Sequence, residues 1–595
     1  MNKTAYTKRS CGALRRSDIG SSVELNGWVH RRRDHGGLIF IDVRDRDGIT
    51  QAVFDPADES TFSTAESLRS EDVVRLRGTV RARPDGTENA KLDTGEVELP
   101  VSELHLWSRA ETPPFPITSD ERVDENLTLK YRYLDLRRPR MQRNLTIRHK
   151  IVKAIRDFFD RRDFLEIETP ILIKSTPEGA RDYLVPSRLA HGEFYALPQS
   201  PQMLKQILMI GGVGRYMQIA RCMRDEDLRA DRQPEFTQLD VEMSFVTEED
   251  VIETMESSMI YTWKAALGID VVHPFPRLNH ADALRRFGSD KPDLRFGLEL
   301  ADVTEAFAAS EFSLFRALAE RNSAGARHGS VLALRYPGGA SLSRRDFDAL
   351  VETAKTLGAK GLVWIALGDE TRSSIQRFLT AGLLEELERA VEARAGDAIL
   401  LIGDAGEEAQ LVAGRLRNEV GDRIGARDPQ QFAFCWVVGF PWCERDPETG
   451  EIAPAHHPFT APAPGQEHLI DTDPLAMRAQ HYDMVLNGSE LGSGSIRNHD
   501  PSMQRRIFRM LGLGEAEIEA RFGFFIRALD YGAPPHGGMA LGIDRIAMIA
   551  CGEPSIRDVI AFPKNQAARD LMMDAPSAVP EKSLRELGLL IRPLG

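Results

Sequence analysis

The chain is poor in the residues that staple small or secreted proteins. Its five cysteines (Cys11, Cys222, Cys435, Cys443, Cys551) are scattered over 595 residues and form no C-x-x-C pair, so neither a disulfide framework nor a zinc site is signalled. No run of 18 apolar residues exists, which argues against a membrane span. The opening segment "MNKTAYTKRS" lacks the apolar core of a signal peptide. These absences lead to the expectation of a cytoplasmic protein without a membrane partner. There is no G-x-x-x-x-G-K-[ST] and no G-x-G-x-x-G after a strand, so the common nucleotide folds are not signalled, and "GGVGR" at Gly211–Arg215 reads as a turn. Fixed-period repeats and low-complexity tracts are missing too.

What is present is ordinary for a globular protein, with 42% hydrophobic and 28% charged residues, in a chain long enough to need several domains. The net charge of −14 argues against a nucleic-acid partner until its distribution is considered. Residues 1–110 carry 17 Lys+Arg against 18 Asp+Glu, with basic clusters at Arg31–Arg33 and at Arg75, Arg77, Arg81 and Arg83. A local basic face can bind RNA on an acidic protein.

Residues 20–107 read as five short strands between Gly and Asp turns, which predicts a small closed barrel of the OB type. In "LIFIDV", Ile39, Ile41 and Val43 share the core parity, and Phe40 points outward near three arginines, where it can stack an unpaired base. "ETPPFPITSDE" reads as a hinge. "TIRHKIVKAIRDFFDRR" sets Ile147, Ile151, Ile155, Phe158 and Phe159 on one helical stripe, and strand-like "FLEIETPIL" follows. From 288 to 424, helix and strand patterns alternate with little that looks catalytic, which predicts an inserted α/β module.

Three clusters carry the chemistry. "RCMRDEDLRADRQPEF" is dense in charges of both signs, yet it separates two strand patterns, "RYMQIA" and "TQLDVEMSF". Arg224 offers the planar fork that suits phosphate, Glu226 can accept from an amine, and Phe236 can stack a flat ring. A nucleoside triphosphate fits these groups. "GSELGSGSIR" supplies Glu490 and Arg497, with Asp483 upstream. Two carboxylates such as Asp483 and Glu490 suit Mg²⁺ shared with phosphates. "GGMALGIDR" places Arg545 at the start of an apolar helix, a natural anion site.

These motifs resemble motifs 1, 2 and 3 of class II aminoacyl-tRNA synthetases: "FLEIETPIL", "RDED…RQPEF" and "GMALGIDR" occur in order. "TPEGARDYLVPSR", "LPQSPQMLKQ", "FGSDKPDLR", "HHPFTAP" and "GSELGSGSIR" are similar to the bacterial aspartyl-tRNA synthetase branch, over essentially the whole chain. Ala540 departs from the general third motif, where many class II enzymes keep a glycine. The resemblance implies an α+β multidomain chain: an OB-fold anticodon domain at 1–108, a hinge at 109–130, an antiparallel catalytic sheet flanked by helices at 131–287 and 425–567, the bacterial insertion at 288–424, and a C-terminal extension at 568–595.

The resemblance also implies two steps: ATP and L-aspartate give aspartyl-adenylate, and the aspartyl group then passes to the 3′ end of tRNA. Arg224, Glu226 and Arg545 would be catalytic. Asp225, Gln233, Phe236, Glu490, Gly542, Ile543 and Asp544 would join them around ATP, and Asp483 and Glu490 would hold Mg²⁺. Glu178, Gln202, Lys205, Arg224, His456 and Arg497 would bind aspartate. Lys205 and Arg497 would face its side chain with a positive charge that asparagine leaves under-neutralised. Arg33, Phe40 and Gln51 match anticodon-contacting positions. His35 and Gly86 look like the pattern of members that charge both tRNA-Asp and tRNA-Asn, which need an amidotransferase downstream. Pro170 would lie at a two-fold homodimer interface. Rival expectations are an amidating paralogue, which would lack the barrel, a non-catalytic RNA-binding paralogue, which would lack motif residues, and a lysyl or asparaginyl relative.

Overall fold

The computed structural model describes residues 6–175, 180–322, 329–404, 408–446 and 449–592. By packing, the chain forms two units: residues 1–146 with 557–578, and residues 147–556 with 579–595.

In the first unit, strands Ser22–His35, Leu38–Arg44, Ile49–Phe54, Val97–Ser108 and Val73–Thr79 pair in that order. The last pairs back onto the first and closes the barrel. Alternation works as expected: Ile39, Ile41 and Val43 are buried inside, while Phe40 is half-buried on the other face. A helix that the strand-and-turn pattern had not disclosed, Glu59–Ser67, is N-capped by Asp58 and lays Ala65 against the barrel core. Segment 557–578 joins this unit through several polar contacts, among them Asn144 Nδ2 to the Asp558 carbonyl (3.0 Å), Arg557 Nε to Glu125 (2.6 Å) and three bonds from buried Arg132. Arg132 donates from Nε to the Ala561 carbonyl (2.9 Å) and from Nη2 to the carbonyls of Arg557 (2.8 Å) and Ile560 (2.7 Å).

The second unit is built on an eight-stranded sheet. Its order is Arg277–Asn279, Phe434–Val438, His481–Leu486, Ser489–Ile496, His536–Gly542, Glu235–Ser244, Arg215–Met223 and Leu165–Glu166. The two end pairings are parallel and the others antiparallel. Strand Glu235–Ser244 shows how the sequence builds it. Leu239, Val241 and Met243 are buried on one face, and Gln238, Asp240 and Glu242 share the other. On the preceding helix, Pro139–Asp160, the expected stripe buries Ile151, Ile155, Phe158 and Phe159, and Ile147 is half-buried. "FLEIETPIL" is much less of a strand than its composition suggests. Only Leu165–Glu166 pairs, and the ladder stops short of Pro170, which has no N–H to give.

Residues 300–404 hold a second sheet, ordered Leu300–Asp302, Ser330–Tyr336, Ala398–Asp404, Val363–Leu367 and Thr371–Ser373. Helix and strand alternate along the chain as the sequence predicts, and every pairing in this sheet is antiparallel. Both faces are covered: Phe347, Leu350, Val412 and Leu416 pack on one, and Phe315, Leu383 and Leu387 on the other.

Candidate active site

The polar face of the large sheet opens into a cavity of about 660 Å³. Strand Glu235–Ser244 gives it Phe236, Gln238 and Asp240, the adjoining loop gives Arg224, Glu226, Arg229, Asp231, Arg232 and Gln233, and helix Gln202–Ile210 gives Gln202 and Lys205. Hairpin His481–Leu486/Ser489–Ile496 supplies His481, Glu490 and Ser493, and Arg497 follows it. Gly542, Asp544 and Arg545 enter at the start of helix Ile543–Cys551, and His456 and His457 enter from a loop. Segments as far apart in sequence as Gln202 and Arg545 thus converge on one side of one sheet.

The closed end is a buried ion network. Glu242 accepts both forks of Arg497, from Nε (2.9 Å) and Nη2 (3.0 Å), and its carboxylate lies 3.2 Å from Lys205 Nζ. Lys205 Nζ also donates to Asp240 Oδ1 at 2.7 Å. Arg497 Nη1 reaches Ser495 Oγ at 2.6 Å and meets the His457 ring at 2.9 Å. The two carboxylates respond in opposite directions. Burial drives both up, but Glu242 lies against Arg497 and Lys205 and falls to about 2. Asp240 is drawn down by Lys205 and more weakly by Arg497, but Glu242 beside it adds to the rise and its Oδ2 is buried without a hydrogen-bond partner, so burial wins and its pKa rises. The expected pair of cations is present, with its positive charge already partly offset. Lys205 and Arg497 do converge, but each is paired with a carboxylate, and the surplus positive charge depends on the state of Asp240.

Gly538, on the neighbouring strand, makes this packing possible. A Cβ there would sit 2.0 Å from the Val241 carbonyl and 2.2 Å from Glu242 Oε2.

The histidines form a second buried group. His456 and His481 stack face to face, with ring centres 3.3 Å apart and planes 9° apart. Burial, with neighbouring histidines and Arg497, lowers His456 to about 2 and His481 to about 3, and lowers His457 strongly. All three are neutral imidazoles at physiological pH. His481 Nε2 and Asp483 Oδ1 lie 2.8 Å apart.

At the open end, charges of opposite sign already hold one another. Arg232 donates to Glu226 at 3.3 Å. Arg545 donates from Nη2 to Asp231 at 3.1 Å, and from Nη1 to the Glu490 carbonyl. Arg224 lies over the Phe236 ring, 5.2 Å from its centre. The sign-mixed loop therefore carries its own counter-ions: one for its acceptor Glu226, and one for Arg545 of a distant helix. An anion with a flat ring would replace these partners.

Asp483 and Glu490 are the candidate metal carboxylates. Burial raises Glu490 first and Asp483 next to it adds to the rise. Asp483 rises strongly through burial and Asp290. Among the described residues, no group of three or more His, Cys, Asp or Glu could hold a metal by itself. Two under-neutralised carboxylates fit a cation that takes its other ligands from phosphate and water.

Of the other expected site residues, Asp225 and Ile543 adjoin the cavity in sequence without lining it, and Asp483 stands behind His481. Asp544 lines the wall, but its Oδ2 accepts from the Thr237 backbone N–H at 2.8 Å, and its Oδ1 lies 2.5 Å from Arg148, so it supports the fold. Glu178 lies outside the described residues. Asp240, Glu242, His481 and Lys291 were not foreseen as site residues. The first two were signalled by polar residues on one parity of an apolar strand, and His481 with Asp483 by the same spacing.

In the barrel unit, Arg33, Phe40 and Gln51 meet on one face. Phe40 is the cross-strand partner of Arg33, and Arg33 Nη2 donates to Asp42 (2.6 Å) and Gln51 (3.2 Å). Gln51 donates to Glu98 at 2.9 Å, and Arg81 pairs with the same carboxylate at 2.8 Å. The basic clusters are thus more neutralised than sequence suggests, since Arg77 too is held by Glu24 (2.7 Å) and Glu103 (2.9 Å). His35 ends its strand exposed, and Gly86 sits exposed in a loop at φ +80°.

Comparison with known proteins gives the same division. A family model described as tRNA synthetases class II (D, K and N) matches residues 124–566, and one described as OB-fold nucleic acid binding domain matches 23–106. The aspartate–tRNA(Asp/Asn) ligase of Thermoanaerobacter pseudethanolicus is 51% identical, covering 98% of this chain and 98% of the relative. That of Moorella thermoacetica is 52% identical, covering 98% and 96%. Among solved structures, the asparaginyl-tRNA synthetase of Pyrococcus horikoshii with asparaginyl-adenylate aligns at TM-score 0.59 and 18% identity, over 95% of this chain and 98% of that one, a likeness of fold.

Proposed function

Because the chain belongs to the class II tRNA synthetases that serve aspartate, lysine and asparagine, we propose that it is an aspartate–tRNA ligase acting on both tRNA-Asp and tRNA-Asn. The observation that carries the amino-acid choice is the buried group of Lys205, Arg497, Asp240 and Glu242 at the closed end of the cavity. A carboxylate side chain is received there by Arg497 and Lys205. The unpartnered Oδ2 of Asp240 suits the α-ammonium group. A lysine side chain would bring a third cation beside two that are already buried. Gln202 and His456 line the cavity too and suit the same substrate.

The nucleotide lies at the open end. Phe236 stacks the adenine, Glu226 accepts from its amine, and Gln233, Gly542 and the backbone before Arg545 line its path. Arg545 exchanges Asp231 for the terminal phosphate. Arg224 draws the aspartate α-carboxylate and the α-phosphate together. The carboxylate oxygen forms a bond to phosphorus as the bond to the bridging oxygen breaks, and pyrophosphate leaves with that electron pair. In the second step the 3′-hydroxyl of tRNA attacks the acyl carbon and AMP departs. No enzyme nucleophile is needed. Catalysis is positioning and fixed charge in a closed cavity. Asp483 and Glu490 would hold Mg²⁺, which neutralises phosphate charge when bound.

On the barrel, Phe40 stacks an anticodon base beside Arg33 and Gln51. The inclusion of tRNA-Asn rests on His35 and Gly86, and on the dual names borne by the relatives. Asp-tRNA-Asn would then pass to an amidotransferase. The exposed Leu165, Ile171 and Leu172 around Pro170 suit a homodimer interface, in a cytoplasmic enzyme. The test is pyrophosphate exchange with aspartate and with asparagine, then charging of both purified tRNAs. Exchange with asparagine but not aspartate would sink the amino-acid assignment, and charging of tRNA-Asp alone would sink the dual specificity.

A further inference from the structure

Lys291 is a cavity cation outside the motifs that supply the other charged groups. Lys291 lines the wall near Glu490 and Arg545, on the segment "FGSDKPDLR" that leads from the large sheet into the inserted module. Of the other lining cations, Lys205, Arg232, Arg497 and Arg545 are held by carboxylates at 2.7 to 3.3 Å, and Arg224 lies over the Phe236 ring. Lys291 lies 4.0 Å from the carboxylate of its neighbour Asp290, and its side chain is about half exposed. Its charge reaches both Asp483 and Glu490 and draws both carboxyls down against their burial.

The backbone that presents Lys291 is anchored. Two residues on, buried Asp293 accepts both forks of Arg295, from Nε (3.0 Å) and Nη2 (2.6 Å), and also Arg427 Nε at 3.0 Å. Its carbonyl takes Arg417 Nη2 at 2.9 Å. The Gly488 turn of the hairpin that carries Glu490 packs on Asp293, where an added Cβ would lie 3.2 Å from the Asp293 Cβ. Pro292, between Lys291 and the anchor, fixes one backbone angle. A flexible ammonium is thus delivered from a rigid base to the wall beside Glu490.

We propose that Lys291 binds the terminal phosphates of the nucleotide and stabilises the pyrophosphate as it leaves, a catalytic role that rests on reading the cavity as an ATP site. A compact ammonium suits the outer phosphates, where charge accumulates as the bridging P–O bond breaks, and it complements the planar grip of Arg545. No proton moves through it. Its charge acts on the leaving group.

Full-length K291M and K291R decide the matter. ATP–pyrophosphate exchange is measured in both directions, with calorimetric binding of a non-hydrolysable ATP analogue in the absence of aspartate. In K291M, KM for ATP and for pyrophosphate should rise about tenfold or more, the cost of one charge-assisted contact. KM for aspartate and the transfer of pre-formed aspartyl-adenylate to tRNA should stay within about twofold, and K291R should recover part of the loss. Unchanged KM for ATP and pyrophosphate would overturn the proposal. So would an equal rise in KM for aspartate with a lowered melting temperature, which would make Lys291 a counter-ion of Asp483 and Glu490 only. If the wild type gave no aspartate-dependent exchange, the functional reading would fall, while the analogue titration would still judge Lys291.

Discussion

Replacing Glu242 by Gln keeps the shape of the ion network and removes one charge. Three contacts are affected, Arg497 Nε at 2.9 Å, Arg497 Nη2 at 3.0 Å and Lys205 Nζ at 3.2 Å, and all the side chains are buried. Two routes give the size of the effect. Removing one partner of a buried pair costs about 3–5 kcal/mol, because the other charge is left unpaired. Independently, the fall of Glu242 from 4.5 to about 2 corresponds to roughly 3 kcal/mol of stabilisation by the charged form. Its folded pKa lies below its unfolded value, so this stability is complete above pH 4.5 and is lost as pH falls through about 2. Urea unfolding followed by the fluorescence of buried Trp263, Trp436 and Trp442 reports on this unit. The variant midpoint should be markedly lower at pH 7. The gap to wild type should stay flat down to about pH 5 and narrow below it. Equal midpoints at pH 7, or a gap that widens on acidification, would refute the assignment of Glu242 as the charged keystone.

Four further outcomes are expected. Asp231→Asn frees Arg545 from a partly exposed ion pair worth about 0.2–1 kcal/mol, so KM for ATP in the exchange assay should fall about 1.4- to 5-fold; a rise would mean that Asp231 serves the substrate. Phe236→Ala removes a ring contact worth about 0.5–1.5 kcal/mol and should raise KM for ATP about 2- to 12-fold with little change for aspartate; an unaltered KM would put the base elsewhere. Gly538→Ala would drive a methyl group to within 2.2 Å of Glu242 Oε2 and should abolish adenylate formation, so a fully active variant would contradict the packing. Arg33→Ala should leave pyrophosphate exchange intact and weaken charging of tRNA, and a matching loss in exchange would show that the change is not confined to the barrel.

The parts of this protein legible in its sequence were those written in local code. Five alternating segments gave the barrel, and Arg224, Glu226, Phe236, Lys205, Glu490, Arg497 and Arg545 were recognised from short motifs and do meet in one cavity. What stayed hidden was compensation. Asp240 and Glu242 alternate with the apolar residues of their strand, and nothing local in the sequence shows that they pair with Lys205 and Arg497. The barrel arginines looked like a basic face because Glu24, Asp42 and Glu98 lie strands away in sequence and beside them in space. Motif 1 seemed a full strand because composition does not show where a ladder partner runs out. Much of the attachment of segment 557–578 to the barrel unit runs through backbone carbonyls, three taken by Arg132 and one by Asn144, and carbonyls have no signature in a sequence.

The anchoring of Asp293 has a consequence for anyone who would shorten this chain. Arg417 lies near the far end of segment 288–424 and Arg427 just beyond it, and the carbonyl and carboxylate they grip lie at its near end. The segment is therefore buttoned shut across its base, and the buttonhole packs on the Gly488 turn of the hairpin that carries Glu490. Excision between residues 288 and 424 would remove a strut along with an ornament. A trimmed enzyme would need a substitute clasp for that turn before its loss of activity could be blamed on the missing module.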